Sequence, residues 1–179
     1  DQFDTRGALI VDVGAGRGTL SLMLARDAPA GTHVFAIELQ PALVGYIAGR
    51  ASERGIDNLT PVLSSATSLQ LPWPFCGPSD LPGRLDLIVI LDSYHEFADP
   101  AAMLKSIRNC IKPRTEANSG GRVAVIEMRA ETKDRPAGPL HTMRREQIIS
   151  EWASEGFALI DSDDTLPRYH FLVFAAAAR

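Results

Sequence analysis

Apolar residues in this chain come in short runs separated by segments of helical period, so the elements can be assigned in order. Leu9 to Val13 is a strand-like run ending in Gly14-Ala15-Gly16-Arg17-Gly18, after which Leu20, Leu22, Met23 and Leu24 suit an amphipathic helix to about Asp27. Ala28-Pro29-Ala30-Gly31 interrupts the pattern, His33 to Glu38 supplies a second strand, and Pro41 opens a helix running towards Arg54. Leu59 to Leu63 follows as a third strand, and the proline-rich stretch from Leu71 to Gly83 reads as a long loop. Leu85 to Leu91, apolar except for Asp86, predicts a strand buried on both faces, with a helix from about Pro100 to Ile111 after it. A turn-rich insertion, Lys112 to Gly121, leads to a strand at Arg122 to Met128 and later a helix from about Arg144 to Glu155, which Gly156 ends. Phe157 to Asp161 and Tyr169 to Ala175 are two further strands, and the short link around Leu166-Pro167 makes them an antiparallel pair.

This order predicts an α/β fold: a doubly wound, mostly parallel seven-stranded sheet with an antiparallel C-terminal strand and helices on both faces. Ligands of such sheets bind beyond the carboxyl ends of the strands. The 179 residues, 45% hydrophobic and 22% charged, suit one domain, and we expect residues 1–179 to be a single domain that lacks an N-terminal segment. With 18 Lys and Arg against 22 Asp and Glu the net charge is −4, so the broad positive field of a nucleic-acid binder is missing and no nucleic-acid partner is expected. No apolar stretch approaches the ~20 residues that span a bilayer, so no membrane partner is expected either. Cys76 and Cys110 are the only cysteines; two make neither a disulfide framework nor a Cys-rich zinc site, which points to a reducing, cytoplasmic setting.

The loop after the first strand carries the first chemical signal. Gly14, Gly16 and Gly18 let the backbone turn tightly and approach a ligand, and the helix behind them offers free N–H groups and a positive dipole end. Glu38 lies 20 residues after Gly18, at the end of the second strand, where a carboxylate can accept both hydroxyls of a ribose. Together they suggest an adenosine-containing cofactor. A nicotinamide fingerprint needs glycine at the sixth position of the loop, where this chain has Thr19. Asp12, two residues before the loop, would oppose a pyrophosphate and suits an ammonium or sulfonium cation, which favours S-adenosylmethionine.

Val11 to Gly18 resembles the first motif of class I S-adenosylmethionine-dependent methyltransferases, and Phe35-Ala36-Ile37-Glu38 resembles the second. The likeness extends over nearly the whole chain and implies a Rossmann-like fold. It also implies S-adenosyl-L-methionine as cofactor, S-adenosyl-L-homocysteine as product and a small-molecule acceptor. Cofactor contacts are implied for Asp12, Gly14, Ala15, Gly16, Gly18, Glu38 and Leu39, and for Thr67 and Asp92 in the loops after the third and fourth strands. Two departures stand out. The usual Lys-Pro-Gly-Gly turn is split by Arg114 to Ser119, and where many relatives place an Asp against the adenine this chain has Ser65, Ala66, Thr67 and Ser68.

A sulfonium methyl is already electrophilic, so the protein has to align the acceptor and remove its proton. The topology places Tyr94, His95 and Glu96 after the fourth strand, and Glu127, Arg129 and Glu131 after the fifth, near the acceptor; His141 can join from the next loop. His95 is the leading general base. The bland reading makes Tyr94 and Phe97 core residues and leaves His95 hydrogen-bonded to backbone. Asp92 to Phe97, Glu127 to Glu131, His141-Thr142-Met143 and Leu166 to His170 together resemble the motifs of a bacterial-type small-molecule methyltransferase subgroup. That resemblance implies an acceptor pocket at Glu127, Arg129, Glu131, His141 and Met143.

Glu127, Glu131, His95 and His141 could also gather a divalent ion, but no two share a metal-binding helical spacing, so a salt-bridge network around Arg129 is favoured and no metal is expected. His33 and His170 read as packing residues, Arg144 and Arg145 as solvated surface, and Trp73 and Phe75 as either an apolar lid or loop-to-core packing. Two rival functions remain: a nicotinamide-dependent oxidoreductase, and an inactive S-adenosylmethionine-binding partner subunit.

Overall fold

The computed structural model describes residues 7–71, 74–76, 83–115, 119–132 and 139–177. Strands β1 (Leu9–Val13), β2 (His33–Glu38), β3 (Leu59–Leu63), β4 (Leu87–Leu91), β5 (Arg122–Met128), β6 (Phe157–Asp163) and β7 (Tyr169–Ala176) form one sheet in the order β3-β2-β1-β4-β5-β7-β6. All are parallel to their neighbours except β7, which runs antiparallel to both β5 and β6. The order reverses at β1, whose neighbours are β2 and β4, so the loops leaving β1 and β4 diverge and open a crevice.

Helices α1 (Thr19–Asp27) and α2 (Pro41–Glu53) cover one face, where Leu22, Ala25, Ile47 and Ala51 pack on Val34, Ala36 and Leu59. Helices α3 (Pro100–Cys110) and α4 (Arg145–Ser154) cover the other, burying Leu104, Ile107, Ile148 and Trp152 against a larger cluster that includes Val11, Phe35, Ile88 and Phe174. Alternation along β1 explains the split: Val11 and Val13 face the larger cluster, while Ile10 packs against the smaller one. Trp152 stacks on Phe174 with ring centroids 4.6 Å apart and anchors α4 to β7.

Several expectations shift in detail. β4 starts at Leu87; just before it the Asp86 backbone bonds Leu9 and Arg122, and its carboxylate accepts the Leu9 amide at 2.8 Å and pairs with Lys112. β6 reaches Asp163, carried past its apolar start by pairing with β7 through an irregularity between Leu159 and Asp161. The cysteine reading is corrected: Cys76 and Cys110 form a disulfide that ties the proline-rich loop to the end of α3. The spacing of 34 residues hid a contact that the fold creates, and the composition argument for a reducing compartment falls with it. Phe75 is buried against Phe35 and packs as core, while Trp73 lies outside the described residues. His33 bonds Thr60 at 2.8 Å, and buried His170 bonds the Met143 carbonyl at 3.2 Å, with burial pulling its pKa down. Both are packing residues, as expected. Among the described residues no helix is long and apolar enough to cross a membrane.

Candidate functional site

The glycine loop is folded by its own backbone. The Gly14 and Ala15 amides donate to the Ile37 carbonyl at 2.9 and 3.0 Å, and the Gly18 amide donates to the Ala15 carbonyl at 2.8 Å. Gly14 and Gly18 have φ near +72°, and a Cβ at Gly14 would stand 2.6 Å from Ser93. Gly14 is therefore glycine twice over, by conformation and by the closeness of the loop after β4. At Gly16, also at positive φ, a Cβ would meet nothing within 4 Å, so the space beside the loop is open there. No side chain caps α1, which leaves its N-terminal turn available to a ligand carboxylate.

Glu38 latches the loop. Its Oε2 accepts the Gly16 amide at 2.8 Å, and its Oε1 accepts the Leu39 and Gln40 amides at 2.8 and 2.9 Å. A carboxylate offers about four lone-pair sites. With three taken, one direction on Oε2 remains for a ribose hydroxyl, and a second requires the Gly16 amide to yield. Glu38 is expected from its place in the sequence to accept both hydroxyls; the chain itself has claimed part of that capacity.

Beneath the loop, Asp12 is 2% exposed and accepts the Ser21 hydroxyl at 2.5 Å. Burial pushes its pKa up to about 6 against the two bonds from Ser21, with nearby Glu38 adding to the rise. Leu39 and Leu63 are exposed at the adjoining ends of β2 and β3, and Leu91 at the end of β4. Thr67 sits exposed in a tight turn closed by Ser65 and Ser68. Asp92, also exposed, takes a left-handed φ of 51° while its amide donates to Ile126.

The loop after β4 joins the glycine loop to a second cluster. Ser93 donates to the Val13 carbonyl at 2.9 Å, and Tyr94–Glu96 then form one 3-10 turn. Glu127, with a wholly buried side chain, organises that turn: it accepts the Tyr94 amide at 3.1 Å and holds His95 Nδ1 at 2.8 Å. Burial pushes the Glu127 carboxyl upward, opposed first by its bond to His95. His95 Nε2 faces His141 Nδ1 at 3.1 Å with the rings nearly perpendicular, and Glu96 lies 3.9 Å away. A carboxylate, an imidazole and a second, exposed imidazole thus form a chain from the sheet to the surface.

Other expected members stand apart. The Tyr94 phenol turns into the core and donates to Glu151 of α4 at 2.7 Å, and its pKa is pushed up by burial first. Arg129 is engaged elsewhere, donating to the Tyr169 carbonyl at 3.0 Å and pairing with Asp164. Glu131 is exposed and lies 3.8 Å from His170. Met143 is buried and fastens its loop to β5 through the Met128 carbonyl. Tyr169, which the sequence offers only as part of the Leu166 to His170 motif and with no role, pairs with Met128 beside Glu127, and its phenol is held above the usual range by burial first, then by Asp92 and Glu127. That register follows from the antiparallel pairing of β7 with β5.

The family described as "Methyltransferase domain" matches residues 11–116, more than half of the chain. Among curated proteins, the ubiquinone biosynthesis O-methyltransferase of Xylella fastidiosa is 32% identical over 123 residues, which are 66% of this chain and 41% of that protein. This chain therefore aligns with about two fifths of that relative's length. Among solved structures, a SAM-dependent methyltransferase from Aquifex aeolicus superimposes with a TM-score of 0.81 at 18% identity, covering 98% of this chain and 86% of the other. The cyclase SpnF superimposes at 0.77 with 20% identity, covering 97% and 76%. At these identities the likeness concerns the fold alone, and a cyclase among the neighbours illustrates that the fold does not fix the reaction.

Proposed function

The chain belongs to the methyltransferase-domain family, and on that premise we propose that it transfers a methyl group from S-adenosylmethionine to a small-molecule acceptor. The observation that carries this reading is the latch between Glu38 Oε2 and the Gly16 amide at the reversal point of the sheet. It sets an acid for the ribose beside an open, uncapped loop for the amino-acid tail. Asp12, Gly14, Ala15, Gly16, Gly18 and Glu38 form the cofactor's tail and ribose side in this reading. Leu39, Leu63 and Thr67 flank the adenine, and Asp92 stands between cofactor and acceptor. The oxidoreductase reading has the glycine spacing against it, and the family match does not favour it.

At the acceptor's end, Glu127 keeps the proton on His95 Nδ1, so the Nε2 lone pair faces His141 Nδ1, and the exposed His141 ring carries the relay outward. His95 with His141 then draws the proton from the acceptor as its nucleophilic atom takes the methyl carbon, and S-adenosylhomocysteine leaves. Glu127 is a positioning residue, and Tyr94 and Arg129 support the pocket from behind.

Calorimetry with S-adenosylhomocysteine tests the cofactor assignment. Wild type should bind, and Glu38→Ala should bind on the order of 100-fold more weakly through lost charge-assisted bonds. A folded Glu38→Ala variant that binds like wild type would reject the assignment.

A further inference from the structure

The imidazole cluster offers more than a base. His95 Nε2, His141 Nδ1 and a Glu96 carboxylate oxygen all lie within 4.8 Å of one another. The two nitrogens are 3.1 Å apart, and Glu96 Oε1 is 3.9 Å from His95 Nε2. With bonds of about 2.1 Å, neighbouring nitrogen donors around one ion stand about 3.0 to 3.4 Å apart, so the imidazoles already sit at coordination spacing. Packing does not force this convergence, since His141 and Glu96 are both exposed. Behind them the wholly buried Glu127 carboxylate holds His95 Nδ1 at 2.8 Å. A carboxylate on the far nitrogen of an imidazole fixes its tautomer and raises the basicity of the outer one, the usual support behind a metal-bound histidine.

We propose that His95, His141 and Glu96 bind a divalent first-row transition-metal ion, with Glu127 as the outer carboxylate that orients His95. Two imidazoles and one carboxylate are a mixed nitrogen and oxygen set that suits ions such as zinc(II), cobalt(II) and manganese(II). Three protein donors leave coordination positions open. The site stands on these donors alone; its part in methyl transfer rests on the function proposed above. An acceptor hydroxyl bound to the ion becomes more acidic and releases its proton to solvent, and the resulting metal-bound oxygen takes the methyl carbon while the C–S bond of the sulfonium breaks. With the ion in place, His95 Nε2 is occupied, and this acidification replaces proton abstraction by the imidazole.

The test uses the full chain, freed of metal by chelation and titrated with cobalt(II) by visible absorption and with zinc(II) by calorimetry. S-adenosylhomocysteine binding is measured on the same preparation. One equivalent of cobalt(II), displaced by zinc(II), is expected. His141→Ala and Glu96→Gln, both at the surface, should weaken uptake at least tenfold, and Glu127→Gln by roughly 10- to 100-fold. His33→Gln, remote from the cluster, should leave it unchanged. A chain that binds S-adenosylhomocysteine but takes up no stoichiometric ion, or an affinity that ignores His141→Ala, overturns the proposal. Stoichiometric uptake sensitive to His141 and Glu96 but without S-adenosylhomocysteine binding would leave the metal site standing and sink the methyl-transfer reading.

Discussion

Replacing Asp12 with Asn probes the electrostatics under the glycine loop. The carboxyl is 2% exposed and its pKa stands at about 6, against an ordinary 3.8, mainly because burial penalises its charge. The folded state thus holds this proton more tightly than the unfolded chain does. Its favourable contribution to stability is full below pH 3.8 and is lost as the pH rises through about 6. A gap of about two pH units is about 3 kcal/mol in all, of which about 1 kcal/mol falls between pH 5 and 7. Asn keeps the shape and can still accept from Ser21, but carries no charge at any pH. From pH 5 to 7 the unfolding free energy of Asp12→Asn should therefore gain about 1 kcal/mol on wild type, whatever constant offset the buried amide adds. Urea titrations of both proteins at pH 5, 6 and 7 measure that difference. Parallel pH dependences would refute the reasoning. A cationic ligand favours the ionised form, so wild-type affinity for S-adenosylmethionine should rise over the same interval while that of Asp12→Asn stays flat.

Gly14→Ala should cost at least ~2 kcal/mol, since it meets both a positive φ and Ser93 at 2.6 Å, whereas Gly16→Ala, with open space around it, should cost about 1 kcal/mol for its backbone alone. Thermal unfolding separates them, and equal losses would contradict the close approach of the two loops. Reducing Cys76–Cys110, which closes a separation of 34 residues, should lower stability by up to about 4 kcal/mol, read as a fall in melting temperature on adding a phosphine reductant. Glu127→Gln should depress methyl transfer to a responsive hydroxy acceptor by on the order of 100-fold while S-adenosylhomocysteine affinity holds. A matching loss of cofactor binding would place Glu127 in the wrong half of the site.

The parts legible in the sequence were those written locally. β5 at Arg122–Met128 and β3 at Leu59–Leu63 follow directly from short β-branched runs, and Pro41 and Pro100 mark the first residues of α2 and α3. The glycines and Glu38 declared their partnership through spacing, because a strand, a loop and a helix of ordinary length leave the next strand's end beside the loop. What the sequence could not display depends on approach through space. Glu131, which the sequence groups with His95 and His141, lies 3.8 Å from His170 instead, and Glu96 stands beside His95. Tyr94 shares its turn with His95 yet faces the opposite way, into α4, a distinction of one position that composition does not encode. The disulfide joins a loop to a helix end through tertiary packing alone.

β7 is threaded between β5 and β6 although it follows both in the chain. While the polypeptide is still leaving the ribosome, β6 has nothing to pair with and the apolar rim of β5 is open to any passing strand. Glu127 lies on that rim, opposite His170, so its surroundings close only once Tyr169–Ala176 has slotted in. The candidate site around Glu127 is consequently among the last parts to mature, and a nascent product cut short before Tyr169 would be prone to aggregate.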